Sequence, residues 1–311
     1  MIPVIPESYL KEEEREGFLI SEKMKRSWAT KLKLLGMIAE VCGRYGLKWY
    51  ADYGTLLGAV RHRGFVPWDD DMDISMPRKD YDLALPILQR ELPPDCKVSF
   101  YGQTDFIVPW SYVNNRKGPD LGDDPHEAQI TAEYYGNPFR DCIDIYPLDY
   151  VPADPSEREV FLEIHETIFE AIQNYEVVWR ENRVQEYAEQ ICALTGQMLP
   201  TDERFRPALC ILQESLAKLY PKEQSIGIEN IANMAHHARN RWRPFEAYDD
   251  TIMLPFEMIE IPVPAGYQKL LSNNFGSGWV SPVKGVAGHN YPFYQEQERM
   301  IEEYRARIMA G

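Results

Sequence analysis

Apolar residues recur every three or four positions through Met24, Trp28, Leu32, Leu35, Ile38 and Cys42, which predicts one long amphipathic helix opened by Ser21 and ended by Gly46. Residues 47–52 have the aromatic content of a buried strand, broken at Gly54, and the short apolar run 55–60 predicts a helical turn packed on it. Residues 71–76 alternate polar and apolar, as a half-buried strand does. Pro77 ends that strand, and Tyr81, Leu85, Leu88 and Leu92 mark one face of a helix over 78–92 that Pro86 interrupts. Two strands over 97–101 and 106–113 follow, then a polar loop over 114–138. The apolar strand 142–146 is closed by Pro147 and Pro152.

From 155 to about 243 the period is helical throughout, with Phe161, Ile164, Ile168, Ile172 and Tyr175 on one run and Leu209, Leu212, Leu216 and Leu219 on another. The end of the chain returns to mixed structure: strands over 252–256 and 258–261, a helix over 267–275 and a last helix over 292–309. The fold class expected is α/β of the α+β kind, a mixed-sheet core (1–154) with a helical insertion (155–245) and a C-terminal segment (246–311) that packs back on the core.

Charge narrows the partners. Across 311 residues, 33 Lys and Arg stand against 49 Asp and Glu, a formal charge of −16. This excludes a large nucleic-acid footprint and broad docking on anionic lipid. An anionic ligand must then be met by a local basic cluster or by metal. Cys42, Cys96, Cys142, Cys192 and Cys210 are scattered and odd in number, which fits reduced thiols. No signal peptide is visible, and no run approaches the roughly 18 apolar residues of a membrane span. The expectation is a cytoplasmic protein.

Candidate chemistry concentrates between Trp49 and Tyr81. Asp69, Asp70, Asp71 and Asp73 crowd together there, and clustered carboxylates call for a cation. Asp71 and Asp73, two apart on a strand, share a face, and Asp144 sits in the second apolar strand. Hard oxygen ligands so arranged suit Mg²⁺ (or Mn²⁺) in phosphoryl transfer, with the third carboxylate bridging to metal or taking the proton of an attacking hydroxyl. The Gly54-Thr55 turn would offer backbone N–H groups and a hydroxyl to phosphate oxygens. Arg61, His62 and Arg63 either neutralise a diphosphate or pair with the neighbouring aspartates. Asp69 and Asp70 either support the ligands from behind or cap the turn after Trp68, and Asp70 is placed with the substrate-binding positions.

The run from Asp52 through Gly54, Thr55, Arg61 and His62 to Gly64, Phe65, Val66, Pro67, Trp68 and Asp69–Ile74 resembles the signature of the LicD family of phosphotransferases, related to fukutin-type enzymes. Residues 143–149 are similar to that family's second carboxylate block, and the stretch from Ile261 to Gly276 loosely follows its C-terminal pattern. The resemblance implies a nucleotidyltransferase-like fold, with Gly54 and Thr55 in the phosphate-binding turn and Asp71, Asp73 and Asp144 as metal ligands. It also implies transfer of a phospho-alcohol, such as phosphocholine from a CDP-linked donor, to a hydroxyl of a surface glycan (lipopolysaccharide) or teichoic acid precursor, with release of CMP. The competing readings are nucleotidyl transfer with release of pyrophosphate and an inactive nucleotide- or metal-binding module. A quaternary ammonium would also want an aromatic cage, for which Trp68, Trp110, Tyr134, Tyr135 and Tyr146 are the nearby rings. His236 and His237 lie on a helical stretch with no third ligand at metal spacing, and His289 is a loop histidine.

Overall fold

In a computed structural model of the chain, residues 2–101, 103, 106, 108–237, 239–284 and 291–310 are described, the side chains of His237 and Ala310 excepted. His289 therefore lies outside the described residues. A hairpin of β1 (Glu13–Arg15) and β2 (Phe18–Ile20) opens the chain. Its turn residues Glu16 and Gly17 have φ of 52° and 71°, the double positive φ that matches strand twist. The expected long helix follows as α1 (Glu22–Tyr45); Ser21 Oγ accepts the Met24 N–H at 3.2 Å, and Gly46 ends it at φ 65°. Its apolar stripe from Met24 to Cys42 is buried.

The central sheet is mixed, as expected of an α/β core. Its strands are β3 (Tyr50–Ala51), β4 (Asp73–Pro77), β5 (Lys97–Ser99), β6 (Ser111–Asn114), β7 (Cys142–Pro152) and β8 (Ser225–Glu229), in the order β3-β4-β7-β6-β5 with β8 also on β7. β4 and β7 run parallel, and the other pairings are antiparallel. Helix α2 (Tyr53–Arg61) joins β3 toward β4, and α3 (Arg78–Glu91) follows β4. Pro86 lies inside α3 without ending it, on the exposed side, where the carbonyl it leaves without a donor faces water.

Three expectations are corrected. Pro147 does not end its strand, because β6 pairs with 142–145 and β8 with 149–152, so no partner faces Pro147 on that edge. The Asp144 N–H donates to Met72 O on the opposite, β4 side, so by alternation the N–H that Pro147 lacks falls in the gap between β6 and β8. The loop 114–138 contains α4 (Pro125–Glu133), whose start has a readable signal: Asp124 accepts the His126 N–H at 2.8 Å, with Pro125 in the first turn. The region 155–245 is not helical throughout. It holds α5 (Pro155–Gln173), α6 (Tyr175–Arg180), α7 (Val184–Thr195), α8 (Phe205–Ala217) and α9 (Ile231–His237), but also β8, which adds to the main sheet.

The chain then forms the hairpin β9 (Thr251–Phe256) and β10 (Ile259–Pro264), followed by α10 (Tyr267–Phe275) and α11 (Gln295–Ala310). Phe256, Ile261, Val263, Leu270, Leu271 and Ile301 share one buried cluster with Trp28, Leu56, Ile74 and Ile145. A second cluster around Ile168, Ile191, Phe205 and Leu209 belongs to the helices of the insertion.

Candidate active site

The site grows from the only parallel pairing among the described strands. Asp73 opens β4, and the register sets it directly beside Asp144 of β7. Neighbouring residues in a parallel ladder project from the same face, with strands about 4.8 Å apart. Asp71 precedes β4 rather than lying in it, two residues ahead of Asp73.

Thr55 fixes the relation between α2 and this strand. Its Oγ1 accepts the Asp73 backbone N–H at 2.8 Å, and the residue is buried. Thr55 thereby ties the helix to the strand. Gly54, at the second position of α2, faces the acidic cluster, and a Cβ there would collide with the Asp69 carboxylate and touch that of Asp71. Gly54→Ala is therefore expected to displace Asp69 and lower activity by at least about tenfold while leaving the fold intact. Steady-state assay beside circular dichroism checks this, and full activity in a folded variant would count against it.

The start of α2 is held from below by a buried charge network. The Asp52 carboxylate accepts the Tyr53 N–H at 2.8 Å and pairs with Arg243 Nη1 at 2.7 Å. Arg243 also binds Glu229 of β8 at 2.8 Å and the Tyr248 hydroxyl at 3.0 Å. Tyr53 takes φ of 40°, a strained backbone for this side chain, and its hydroxyl accepts from Asn233 Nδ2 at 2.9 Å. A second buried network steadies the approach to β7: Lys31 and Ser27 of α1 and Asn137 all bind the Asp141 carboxylate.

Electrostatically the cluster is under-neutralised. Burial, then the charges of Asp71, Asp144 and Asp69, push the Asp73 carboxyl well above the usual range. Burial and Asp71 push Asp144 up to about 7, against hydrogen bonds from Trp110 and Tyr146 that favour its charged form. An acid whose pKa is about 4 unfolded and about 7 folded stabilises the fold below pH 4 relative to higher pH, and that stability is lost as pH rises through 7. The melting temperature in chelator is thus expected to fall between pH 5 and 8 more steeply for the wild type than for Asp144→Asn, and Mg²⁺ is expected to restore it. Parallel pH profiles for the two proteins would refute this.

Among the described residues, no three His, Cys, Asp or Glu side chains converge as a ready-made metal site. The donor chemistry of Asp71, Asp73 and Asp144 nevertheless fits a hard divalent cation: all ligands are carboxylate oxygens, and two are held at raised pKa by burial and by one another.

A cleft of about 400 Å³ opens beside the cluster, walled by Gly54, Arg61, Trp68, Asp69, Phe275 and Trp279. Arg61 reaches it with its guanidinium anchored on the Trp279 carbonyl at 2.8 Å. The other predicted binding positions are elsewhere. His62 turns away, its Nε2 accepting from Arg61 Nε at 2.8 Å and its Nδ1 3.1 Å from Glu16, so it orients Arg61 and does not line the cleft. Burial and the Arg61 charge lower its pKa, which keeps the ring neutral. Asp70 is buried, and its carboxylate accepts the Phe293 N–H at 2.6 Å, fastening the C-terminal segment to the core. The Asp69 carboxylate is the one that joins the cluster. Of the rings considered for a cage, Trp68 lines the cleft, Tyr146 and Trp110 lie at Asp144, and Tyr134 is core. The His236 ring packs on Phe169 at 4.6 Å.

The family described as LicD/FKTN/FKRP, nucleotidyltransferase domain, matches residues 46–113. This stretch holds Gly54, Thr55, Asp71 and Asp73. The likeness to that family model rests on this segment of the chain. Over 259 residues, 79% of the chain and 87% of the relative, the sequence is 24% identical to the lipopolysaccharide cholinephosphotransferase LicD of Haemophilus influenzae. Shorter matches are 40% identical over 63 residues (20% of the chain, 19% of the relative) and 46% identical over 41 (13% and 15%), to uncharacterized proteins of Rickettsia typhi and Rickettsia prowazekii. Arg243, Glu229 and Asn233, which hold the start of α2, went unseen in the sequence because they lie some 180 residues from Asp52 and Tyr53. Phe275 and Trp279 carried a signal, two rings spaced by glycines, but nothing local ties them to the acidic strand.

Proposed function

We propose that this chain is a cytoplasmic, Mg²⁺-dependent phosphotransferase that moves a phosphocholine-like group from a CDP-linked donor to a hydroxyl of a lipopolysaccharide-type or teichoic acid glycan. The observation that carries the reading is the side-by-side register of Asp73 and Asp144, with Asp71 ahead of them, at the edge of a cleft walled by Trp68, Phe275 and Trp279. Three rings and the Asp69 carboxylate suit a quaternary ammonium, and Arg61 suits a phosphate. The name of the Haemophilus influenzae relative, matched over most of its length, supports the same reaction. Among the described residues no helix is long and apolar enough to cross a membrane.

In this reaction the acceptor hydroxyl oxygen attacks the phosphorus bearing the alcohol, the anhydride bond to CMP breaks, and CMP leaves with the electron pair. Asp71, Asp73 and Asp144 would hold the divalent cation, which when bound would neutralise charge on the phosphates. Where it is not engaged by the cation, Asp144 is the carboxylate that would take the hydroxyl proton. Arg61 orients the donor phosphates, and the rings exclude water around the alcohol. Incubation with CDP-choline, Mg²⁺ and a lipopolysaccharide acceptor tests this by product analysis. CMP with phosphocholine on the glycan supports the reading; CTP consumption with pyrophosphate release would replace it with nucleotidyl transfer, and tight Mg²⁺ binding without any product would leave a binding module.

A further inference from the structure

A second cleft, of about 410 Å³, lies on the same sheet and is not used by the chemistry above. Its floor is Pro77 of β4 with Leu148 and Tyr150 of β7. By strand alternation Asp73, Ser75 and Pro77 share one face of β4, and Asp144, Tyr146, Leu148 and Tyr150 share one face of β7. The cleft is thus a continuation of the face that carries the acidic pair, four residues or about 13 Å farther along the strands.

Its chemistry differs from that of the first cleft. Tyr150 and Phe245 form an aromatic shelf, with ring centres 6.1 Å apart, and Lys222 Nζ lies 5.2 Å above the Phe245 ring. Arg78 also lines the cleft, but its charge is committed to Asp149 and Glu214. Lys79 and Lys222 are exposed and form no ion pair among the described residues, against one lining carboxylate, Asp249. Lys222 over the Phe245 ring and Lys79 at the lining give this cleft a local positive charge on a chain of net charge −16. Rings take the apolar face of a sugar, and ammonium groups take its phosphate or carboxylate.

The geometry points to this cleft as the seat of an anionic stretch of the acceptor glycan, a phosphorylated or carboxylated sugar some 13 Å from the hydroxyl that reacts. This rests on the proposed transfer to a glycan and adds the charge class of that glycan and its point of attachment. Because Lys79 and Lys222 are exposed and form no ion pair among the described residues, their removal leaves the core intact.

Titration of the full chain with glucose 6-phosphate, glucose and inorganic phosphate, followed by calorimetry or chemical shifts, tests the site directly. Glucose 6-phosphate is expected to bind at least about fivefold more tightly than glucose or phosphate alone, and the Lys79→Ala/Lys222→Ala variant to lose that margin at unchanged melting temperature. Tyr150→Ala is expected to weaken the sugar phosphate and leave free phosphate unaffected. In turnover, the double variant should raise KM for a phosphorylated acceptor about fivefold or more, with CMP release to water unchanged. Failure of glucose 6-phosphate to bind, binding unaltered by the lysine substitutions, or preferential binding of CMP at Lys79 and Lys222 overturns the assignment. A wild type that binds the sugar phosphate but never releases CMP overturns the transfer reaction and leaves the anionic-sugar site standing.

Discussion

Asp73→Asn is expected to lower phosphotransfer by about a thousandfold or more, and Asp144→Asn by a similar factor, while both proteins melt at a higher temperature than the wild type in chelator. The two effects have one cause. Asp73, buried, and Asp144, half-buried, are adjacent, and both are held above the ordinary carboxylate pKa by desolvation and by Asp71. At pH 8, above the value of about 7 for Asp144, the fold must hold that carboxylate charged within the cluster, and an amide of the same shape removes the charge. The same substitution removes the oxygen charge that a divalent cation and a proton in flight both require. Paired measurement of CMP release and melting temperature decides the matter. A variant that retains activity within about tenfold of the wild type removes Asp73 or Asp144 from the chemistry, and a variant that melts lower shows that the carboxylates are structural.

Arg243→Ala should have the largest effect on stability, about 3–5 kcal/mol, because it strands Asp52 and Glu229 as buried, unpaired charges. Denaturant unfolding measures the loss. If the cost is the stranding and not the lost volume, Arg243→Met combined with Asp52→Asn and Glu229→Gln should recover most of it. Asp52→Asn keeps a side-chain oxygen that accepts the Tyr53 N–H, so the start of α2 should be kept in the rescued variant. A loss under about 1 kcal/mol would mean that water reaches this network.

The sequence made legible what is local and periodic. The stripe of α1, the alternation at the start of β4 and the apolar strand around Asp144 specify their own elements, and the three carboxylates could be read from them. What stayed hidden depends on contacts between distant segments. Asp71 to Asp73 look alike in sequence to Asp69 and Asp70, and only the fold separates them, by laying Asp69 against Gly54 and turning Asp70 to Phe293. His62 looked like a phosphate ligand until Glu16, from a hairpin with no apolar signature, claimed its ring. β8 was invisible because its partner is the half of β7 beyond a proline, and a proline in a strand reads as its end.

That proline divides β7 into two working lengths. One length, with β6 along its edge, carries Asp144; the other, with β8, carries the segment that continues into the helical insertion. Replacement or resizing of the insertion can therefore proceed at one end of a shared beam without disturbing the pairing at the other, provided the contacts of Glu214 with Arg78, Asn233 with Tyr53 and Arg243 with Asp52 are kept. Recognition of new acceptors and preservation of the reaction are separable along a single strand, and grafts between related chains should be cut near residues 152 and 225, which leaves Glu229 and Arg243 together in the recipient.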